Sequence, residues 1–326
     1  MMPAATANDL SLVADIGGTN TRVALARGQT VEPGSIERFR NADHAGLEQV
    51  LAAYLAARGM ASVIGTCVAV AGPVRGNAAR LTNRDWSMTT ASIGAATGTR
   101  RVIILNDLQA QGHAVGRIAD DKLRAVLPGR ASAPGATRLV IGIGTGFNAA
   151  PVHSRPGGRL VPPAEAGHVS LPVRTADDLR LAGFLEQAHG FASVEDALSG
   201  RGIENLYAWH SAEQGDGARR ASVDIIGAAG DGSDPLAVAT VRTAVRLFGA
   251  VAGNLALEIL PFGGIWLIGG IARALEPWFG QHGFAETFRE KGRFSDFMDA
   301  FPVAVIEDDY AALTGCAAHL AETFPG

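Results

Sequence analysis

The chain has 326 residues, of which 47% are hydrophobic and 18% are charged, and its formal net charge is −4. These values are typical of a soluble globular protein, and the length predicts two ordinary domains rather than one very large one. The slightly negative charge argues against a nucleic-acid-binding surface, which needs clustered positive charge. Cys67 and Cys316 are the only cysteines and lie among small apolar residues, which predicts buried packing roles and argues against a zinc site or disulfide framework.

No segment predicts secretion or membrane insertion. The first ten residues, MMPAATANDL, lack the charged and apolar segments of a signal peptide. The most apolar stretch, residues 245–271, is interrupted by Asn254, Glu258 and a Pro–Phe–Gly–Gly turn, which is too broken for a membrane span. We therefore expect a cytoplasmic protein with no membrane or nucleic-acid partner.

Apolar runs typical of strands recur along the chain, and helical patterns separate several of them. The predicted strands begin at residues 11, 22, 62, 101, 138, 264 and 303 and read SLVADIG, RVALA, SVIGTCVAVAG, RVIILND, RLVIGIG, GIWLIGG and VAVIED. A helical pattern covers residues 46–59, with apolar positions at Leu47, Val50, Leu51, Tyr54 and Leu55. Surface loops are predicted at residues 127–137 and 211–219. This alternation predicts an α/β protein with a largely parallel sheet.

Two glycine turns share one layout although they lie in different halves of the chain. VADIGGTNTRVAL begins at Val13 and VIGIGTGFNAAPV at Val140, and each places a Gly/Thr turn ending in asparagine between two apolar runs. We interpret them as analogous hairpins from two related domains. A third glycine pair, Gly269 and Gly270, follows another predicted strand.

These turns have three competing phosphate-binding interpretations, and the alternative to all three is an ordinary turn without a ligand. A Walker loop needs a lysine after a glycine, and neither lysine of the chain, Lys122 or Lys291, follows one. The dinucleotide fingerprint opens a helix, whereas the residues after GIGTGF have an extended pattern. The third interpretation is a hairpin whose backbone N–H groups and threonine hydroxyls face phosphate oxygens. Asp15 would then face the polyphosphate, which predicts Mg²⁺ between them, bound to Asp15 through water.

The three glycine elements together could bind one nucleotide, with two of them at the phosphates and the third near the adenosine. The predicted nucleotide-binding residues are Ala14, Asp15, Ile16, Gly17, Gly18, Thr19, Asn20, Gly144, Thr145, Gly146, Gly269 and Gly270.

Several polar residues suit a sugar substrate. Asp107 ends an apolar strand, where it could accept the proton of an alcohol being phosphorylated. On spacing alone the better interpretation is that Asn106 caps the next helix and Asp107 favours its N-terminus. Glu165 and His168 suit hydroxyls that both donate and accept, or else form a solvated surface turn. Glu195 follows Ser193, a plausible helix N-cap, so its alternative role is an acid in a first helical turn.

Together these motifs resemble bacterial glucokinases of the hexokinase–actin–Hsp70 superfamily. The similarity covers residues 12 to about 320, and the motifs at 15–22 and 144–146, with ILND, EAGHV, EDALSGRGIENLY, FGGIWLIGGIA and KGRF, follow the family's order. The resemblance implies that Asp107 is the general base. It also implies hexose contacts from Asn83, Asn106, Asp107, Glu165, His168 and Glu195.

The resemblance further implies an actin-like ATPase (ribonuclease H-like) fold, with two α/β domains flanking a cleft. The small domain would span residues 1–115, completed by about 309–326, and the large domain residues 116–308. The implied reaction transfers the γ-phosphoryl of ATP to the 6-hydroxyl of glucose with Mg²⁺, and a homodimer is the expected assembly.

One departure and two alternatives stay open. The family's second phosphate loop usually reads G-T-G-L-G, whereas this chain has Asn148 at the last position, which predicts a left-handed asparagine there. The chain could phosphorylate another hexose, such as mannose, fructose or an N-acetyl amino sugar. It could also be a non-catalytic sugar-sensing regulator, although such proteins usually carry a DNA-binding extension, for which we expect no room before Ser11.

Overall fold

The computed structural model describes residues 9–81, 84–130 and 132–325. The strands are β1 (Ser11–Ile16), β2 (Asn20–Arg27), β3 (Thr30–Val31), β4 (Glu37–Arg40), β5 (Thr66–Val70), β6 (Val74–Arg75), β7 (Ala78–Arg80), β8 (Ser87–Thr89), β9 (Val102–Asn106), β10 (Leu123–Leu127), β11 (Arg138–Ile143), β12 (Phe147–Arg155), β13 (Gly158–Leu160), β14 (Ile265–Ile268) and β15 (Val303–Ile306). The helices are α1 (Leu47–Ala57), α2 (Thr90–Thr97), α3 (Asp107–Ala114), α4 (Ala176–His189), α5 (Gly200–Glu213), α6 (Ser222–Asp231), α7 (Pro235–Ile259), α8 (Gly270–Leu275), α9 (Phe284–Arg289) and α10 (Ala311–Thr323).

The chain divides into two compact units, of which the first contains the described residues up to Ile118, residues 154–163 and the described residues from Asp308 onward. Its main sheet has the strand order β3-β2-β1-β5-β9, and β4 pairs with β2. β1 and β2 form an antiparallel hairpin, whereas β1, β5 and β9 run parallel. Ile16 pairs with Val70, which pairs with Asn106, so the carboxyl ends of the three parallel strands meet at one edge. Ligands of α/β sheets bind at such edges.

Both faces of this sheet are covered, because alternate side chains of a strand point to opposite faces. Leu12 and Ile16 pack in the cluster that contains residues of α1 and α2, and Val13 packs in the cluster that contains residues of α3 and α10. Both cysteines are free and buried in the second cluster, as the sequence predicts. Helices α3 and α10 touch so closely that a Cβ added at Gly315 would lie 1.7 Å from the carbonyl oxygen of Ala110.

The second unit contains the described residues of 119–153 and 164–307. Its strand order is β10-β15-β14-β11-β12, with β11, β14 and β15 parallel and β11–β12 an antiparallel hairpin. Each unit therefore has a glycine-turn hairpin followed by parallel strands, which confirms the prediction of two analogous hairpins.

The core of the second unit is built around α7. Phe248 of α7 lies 5.3 Å, between ring centroids, from Phe284 of α9. Within the part of the chain that the structure describes, α7 alone is long and apolar enough to cross a membrane, but 72% of its most apolar window is buried inside the protein. The helix is accordingly a core helix of this unit.

Two boundaries differ from the sequence analysis. Residues 154–163, which the sequence analysis places in the large domain, cluster with the first unit. Helix α5 extends to Glu213, so the polar loop after it begins later than residue 211. All seven predicted strands and the helix at residues 46–59 are present.

Candidate active site

Two carboxylates lie at the carboxyl edge of the first unit's sheet. Asp15 is near the end of β1, and its Oδ2 accepts a hydrogen bond from Arg22 at 3.2 Å. Burial raises the pKa of Asp15, and the Arg22 guanidinium opposes that effect. Asp107 begins α3 directly after β9, and burial together with the negative charge of Asp15 raises its pKa to about 6. A carboxylate with such a pKa is suited to accept a proton near neutral pH.

The N-terminus of α3 is capped as the spacing of Asn106 predicts. Asn106 Oδ1 accepts a hydrogen bond from the Leu108 N–H at 3.0 Å, and Gln109 Oε1 accepts one from the Asn106 N–H at 3.2 Å. Asn106 Nδ2 donates to the Gly72 carbonyl at 3.2 Å. Asp107 Oδ1 accepts from the same Leu108 N–H at 2.8 Å. Asn106 thus has a structural role as a cap, and the cap fixes the place of its neighbour Asp107.

The first glycine turn is held by Asn41, a buried residue that the sequence analysis did not single out. The turn closes through a hydrogen bond from the Gly17 N–H to the Asn20 carbonyl at 3.0 Å. Asn41 Nδ2 donates to the Gly17 carbonyl at 2.8 Å, and its Oδ1 accepts from Thr21 Oγ1 at 2.8 Å. The Asn41 N–H donates to the Thr19 carbonyl at 2.9 Å. These bonds fix the turn and leave Thr19 exposed at its tip.

The second glycine turn is held against Glu195. The turn closes through a hydrogen bond from the Gly144 N–H to the Gly146 carbonyl at 2.9 Å. Glu195 Oε2 accepts a hydrogen bond from the Phe147 N–H at 2.9 Å, and Oε1 lies 3.2 Å from Arg201. A Cβ at Gly146 would lie 2.6 Å from Glu195 Oε2. Glycine at 146 therefore allows the carboxylate to touch the turn.

The same glutamate anchors the turn that carries Glu165 and His168. The Glu195 N–H donates to the Gly167 carbonyl at 2.9 Å. Glu165 Oε2 lies 3.6 Å from His168 Nδ1, and both side chains are exposed. Gly167 sits so close to β12 that a Cβ would lie 2.2 Å from the Phe147 carbonyl oxygen. The second unit thus gathers three predicted hexose ligands around the second glycine turn.

Gly269 lies between β14 and α8, beside the second glycine turn. Gly269 has φ +105°, and a Cβ there would lie 2.2 Å from the Ile143 carbonyl oxygen. Only glycine permits this approach, and α8 begins at Gly270.

A group of three potential metal ligands, His113, His319 and Glu322, occurs elsewhere in the first unit. Both oxygens of Glu322 already accept hydrogen bonds, from Arg117 at 2.6 Å and from the Arg159 N–H at 3.0 Å. The positive charges of Arg159, Arg117 and Arg155 near His113 disfavour a cation, so we assign no metal there.

The family model for glucokinase matches residues 12–323 of the chain. The chain belongs to the glucokinase family. A glucokinase of Pseudomonas aeruginosa (strain LESB58) is 37% identical over 314 residues, covering 95% of this chain and 94% of that protein. The crystal structure of a glucokinase from an Antarctic psychrotroph superposes with a TM-score of 0.85 at 30% identity, covering 96% of this chain and 98% of that one. The crystal structure of Balamuthia mandrillaris glucokinase in complex with glucose superposes with a TM-score of 0.80 at 21% identity, covering 96% of this chain and 93% of that one. These matches confirm the predicted actin-like ATPase fold.

Within this glucokinase-family fold, the prediction of a left-handed Asn148 is wrong. Asn148 lies in β12 and pairs with Gly142 of β11. Among the described residues, Leu260 is the only non-glycine residue with positive φ. Asn148 therefore has an ordinary extended backbone, and a left-handed turn does not explain why asparagine stands there.

Two further outcomes concern the hexose residues predicted from the glucokinase resemblance. No helix begins at Ser193: Glu195 lies in a turn, and Ser199 caps α5 instead. Asn83 lies outside the described residues. Arg22 and Arg201 were not predicted as site residues, although their partners Asp15 and Glu195 were. Arg22 pairs with Asp15 across the predicted hairpin, so the register of that hairpin is the signal that could have found it.

Proposed function

We propose that this member of the glucokinase family transfers the γ-phosphoryl group of ATP to the 6-hydroxyl of glucose, giving glucose 6-phosphate and ADP. The observation that carries the proposal is Asp107, a carboxylate whose pKa is raised to about 6 at the sheet edge that also presents the first glycine turn. Glucokinases of related sequence, and the glucose complex of the Balamuthia enzyme, support glucose as the sugar.

In this proposal Asp107 accepts the proton of the 6-hydroxyl while that oxygen attacks the γ-phosphorus. A bond forms between the hydroxyl oxygen and phosphorus, the bond from the γ-phosphorus to the bridging oxygen breaks, and ADP leaves. The other hydroxyls of the hexose bind Asn106, Glu165, His168 and Glu195, with Asn83 as a further contact. Carboxylates accept hydrogen bonds from hydroxyls, and an imidazole either donates or accepts, so the set suits a polyol.

The nucleotide phosphates would be bound by the two glycine turns. Their backbone N–H groups and the exposed Thr19 and Thr145 supply hydrogen-bond donors without any lysine. Gly269 and Gly270 would lie near the adenosine.

The carboxylate of Asp15 fits a magnesium ion. It is a hard oxygen donor at this sheet edge, and its negative charge, which after burial contributes to the raised pKa of Asp107, attracts a divalent cation. The ion pair with Arg22 favours binding of Asp15 through water rather than directly. Bound with ATP, Mg²⁺ screens the charge of the transferring phosphoryl group.

We also propose that the protein works in the cytoplasm as a homodimer, without nucleic-acid or membrane partners. The formal net charge of −4 supports the absence of a nucleic-acid footprint.

ADP release tests the activity directly. Glucose, mannose, fructose and N-acetylglucosamine should each be tested with ATP, GTP and polyphosphate as donors. The proposal expects the highest kcat/KM with glucose and ATP. A higher kcat/KM with another hexose would reassign the substrate, and saturable sugar binding without ADP release would indicate a regulator.

A further inference from the structure

The side chain of Asn148 joins β12 to the turn that carries Glu165. Its Nδ2 donates a hydrogen bond to the Ala164 carbonyl at 2.6 Å, and its Oδ1 accepts one from the Ala166 N–H at 2.9 Å. The same Oδ1 accepts from the Ala149 N–H at 2.8 Å. One amide group therefore holds the backbone on both sides of Glu165.

The segment around Glu165 needs such an anchor. Pro162 and Pro163 precede it and have no backbone N–H to donate. The Glu165 side chain is 71% exposed and that of His168 64%, so packing does not fix either of them. The positions of both side chains therefore depend on the backbone of the turn. Asn148 holds this backbone at Ala164 and Ala166, and the Glu195 N–H holds it at Gly167.

Phe147 and Asn148 directly follow the second glycine turn. Together they hold in place the three predicted hexose-binding residues of this unit, which are Glu165, His168 and Glu195. The Phe147 N–H binds the Glu195 carboxylate, a contact that any residue at 147 other than proline could make. The contact from position 148 uses a side-chain amide, and the glycine usual in the family could not supply it.

We propose that Asn148 is a positioning residue for hexose binding, one that holds Glu165 and His168 in register with the second glycine turn. The proposal rests on the proposed function, in which these two residues bind the sugar. It assigns Asn148 to sugar affinity, and not to the nucleotide affinity that its place beside the phosphate loop suggests.

Asn148→Ala removes all three hydrogen bonds of the side chain and keeps the strand, and Asn148→Gly restores the usual family residue. The KM for glucose, and the Kd for glucose measured calorimetrically without ATP, should rise about tenfold because the two hydrogen bonds to the turn that carries Glu165 are lost. The KM for ATP should change less than about twofold, since no contact to the first or second glycine turn is removed. Asn77→Ala, at an exposed turn of the first unit, is the matched control and should leave all these values unchanged.

Asn148→Asp is a second variant of nearly equal size, for use if the others fold poorly. It keeps an acceptor for the Ala166 N–H but cannot donate to the Ala164 carbonyl, so the KM for glucose should again rise. Hydrogen exchange of the Ala166 amide should quicken in Asn148→Ala, which shows that the contact exists in solution.

Unchanged glucose affinity in folded Asn148 variants would overturn the proposal, as would a rise confined to the KM for ATP. Wild-type protein in the same assays tests the proposed function separately. If the wild type phosphorylates glucose and the variants bind it equally well, only the role of Asn148 fails. If the wild type neither binds nor phosphorylates glucose, the proposed function fails, and this inference with it.

Discussion

Acid should destabilise the first unit through His113, which lies on α3 six residues after the proposed base. The imidazole is 2% exposed, and its ring centroid lies 3.9 Å from that of His319 on α10. Its Nδ1 is buried without a hydrogen-bonding partner among the described groups. Burial, followed by the neighbouring His319 and nearby arginines, lowers the pKa of His113 to about 3.

The sign of the effect follows from this lowered pKa. The unfolded chain binds the proton of His113 near pH 6.5, whereas the folded protein does not bind it until about pH 3. The unfolded state therefore binds more protons in that window, and the free energy of unfolding falls as the pH falls. At about 1.4 kcal/mol per pH unit, the loss is about 2 kcal/mol at pH 5 and approaches about 5 kcal/mol near pH 3.

His113→Phe isolates this contribution, because the variant keeps a ring against His319 but cannot titrate. Urea unfolding followed by circular dichroism should be measured for both proteins at pH 7 and pH 5. At pH 7 the substitution should cost about 1–3 kcal/mol, because phenylalanine is larger than histidine and the site is buried. Between pH 7 and pH 5 the wild type should lose about 2 kcal/mol more than the variant. Equal losses in the two proteins would refute the reasoning.

Three further outcomes follow from particular contacts. The kcat/KM for glucose should fall below about pH 6, where Asp107 becomes protonated; a profile that is flat from pH 5 to 7 would contradict this. Gly146→Ala should raise the KM for both ATP and glucose, because the added Cβ would lie 2.6 Å from Glu195 Oε2 and displace the carboxylate; unchanged steady-state kinetics would contradict it. Leu260→Gly should raise the free energy of unfolding by about 1 kcal/mol, since φ +51° at the end of α7 strains leucine; a lower melting temperature would contradict it.

The elements and turns that depend on local pattern could be predicted from the sequence. The two hairpins follow from apolar runs around glycine turns, and the place of Asn106 before a helical pattern predicts the cap of α3. The edge of the sheet that carries Asp107 follows from the parallel order of the strands. The hairpins and the cap need only short-range sequence signals, and the edge follows from the general rule that ligands meet parallel sheets at the carboxyl ends of the strands.

Contacts between distant parts of the chain could not be predicted. Asn148 binds backbone atoms of Ala164 and Ala166, which carry no side-chain signal, so its residue type suggested a left-handed turn instead. Asn41 holds the first turn from 24 residues away. In both cases the asparagine side chain hydrogen-bonds to backbone groups that are distant in the sequence and become neighbours only in the folded protein.

Asp107→Asn tests whether Asp107 is the general base of glucose phosphorylation. The amide keeps the size of the side chain and can still bond a hydroxyl, but it cannot accept the proton. The kcat should fall by at least about 10²-fold, with the Kd for glucose nearly unchanged. The melting temperature at pH 7 should be no lower than that of the wild type, because a raised pKa means that the ionised Asp107 costs the folded protein stability there. A variant of wild-type stability that still phosphorylates glucose at close to the wild-type rate would contradict the assignment.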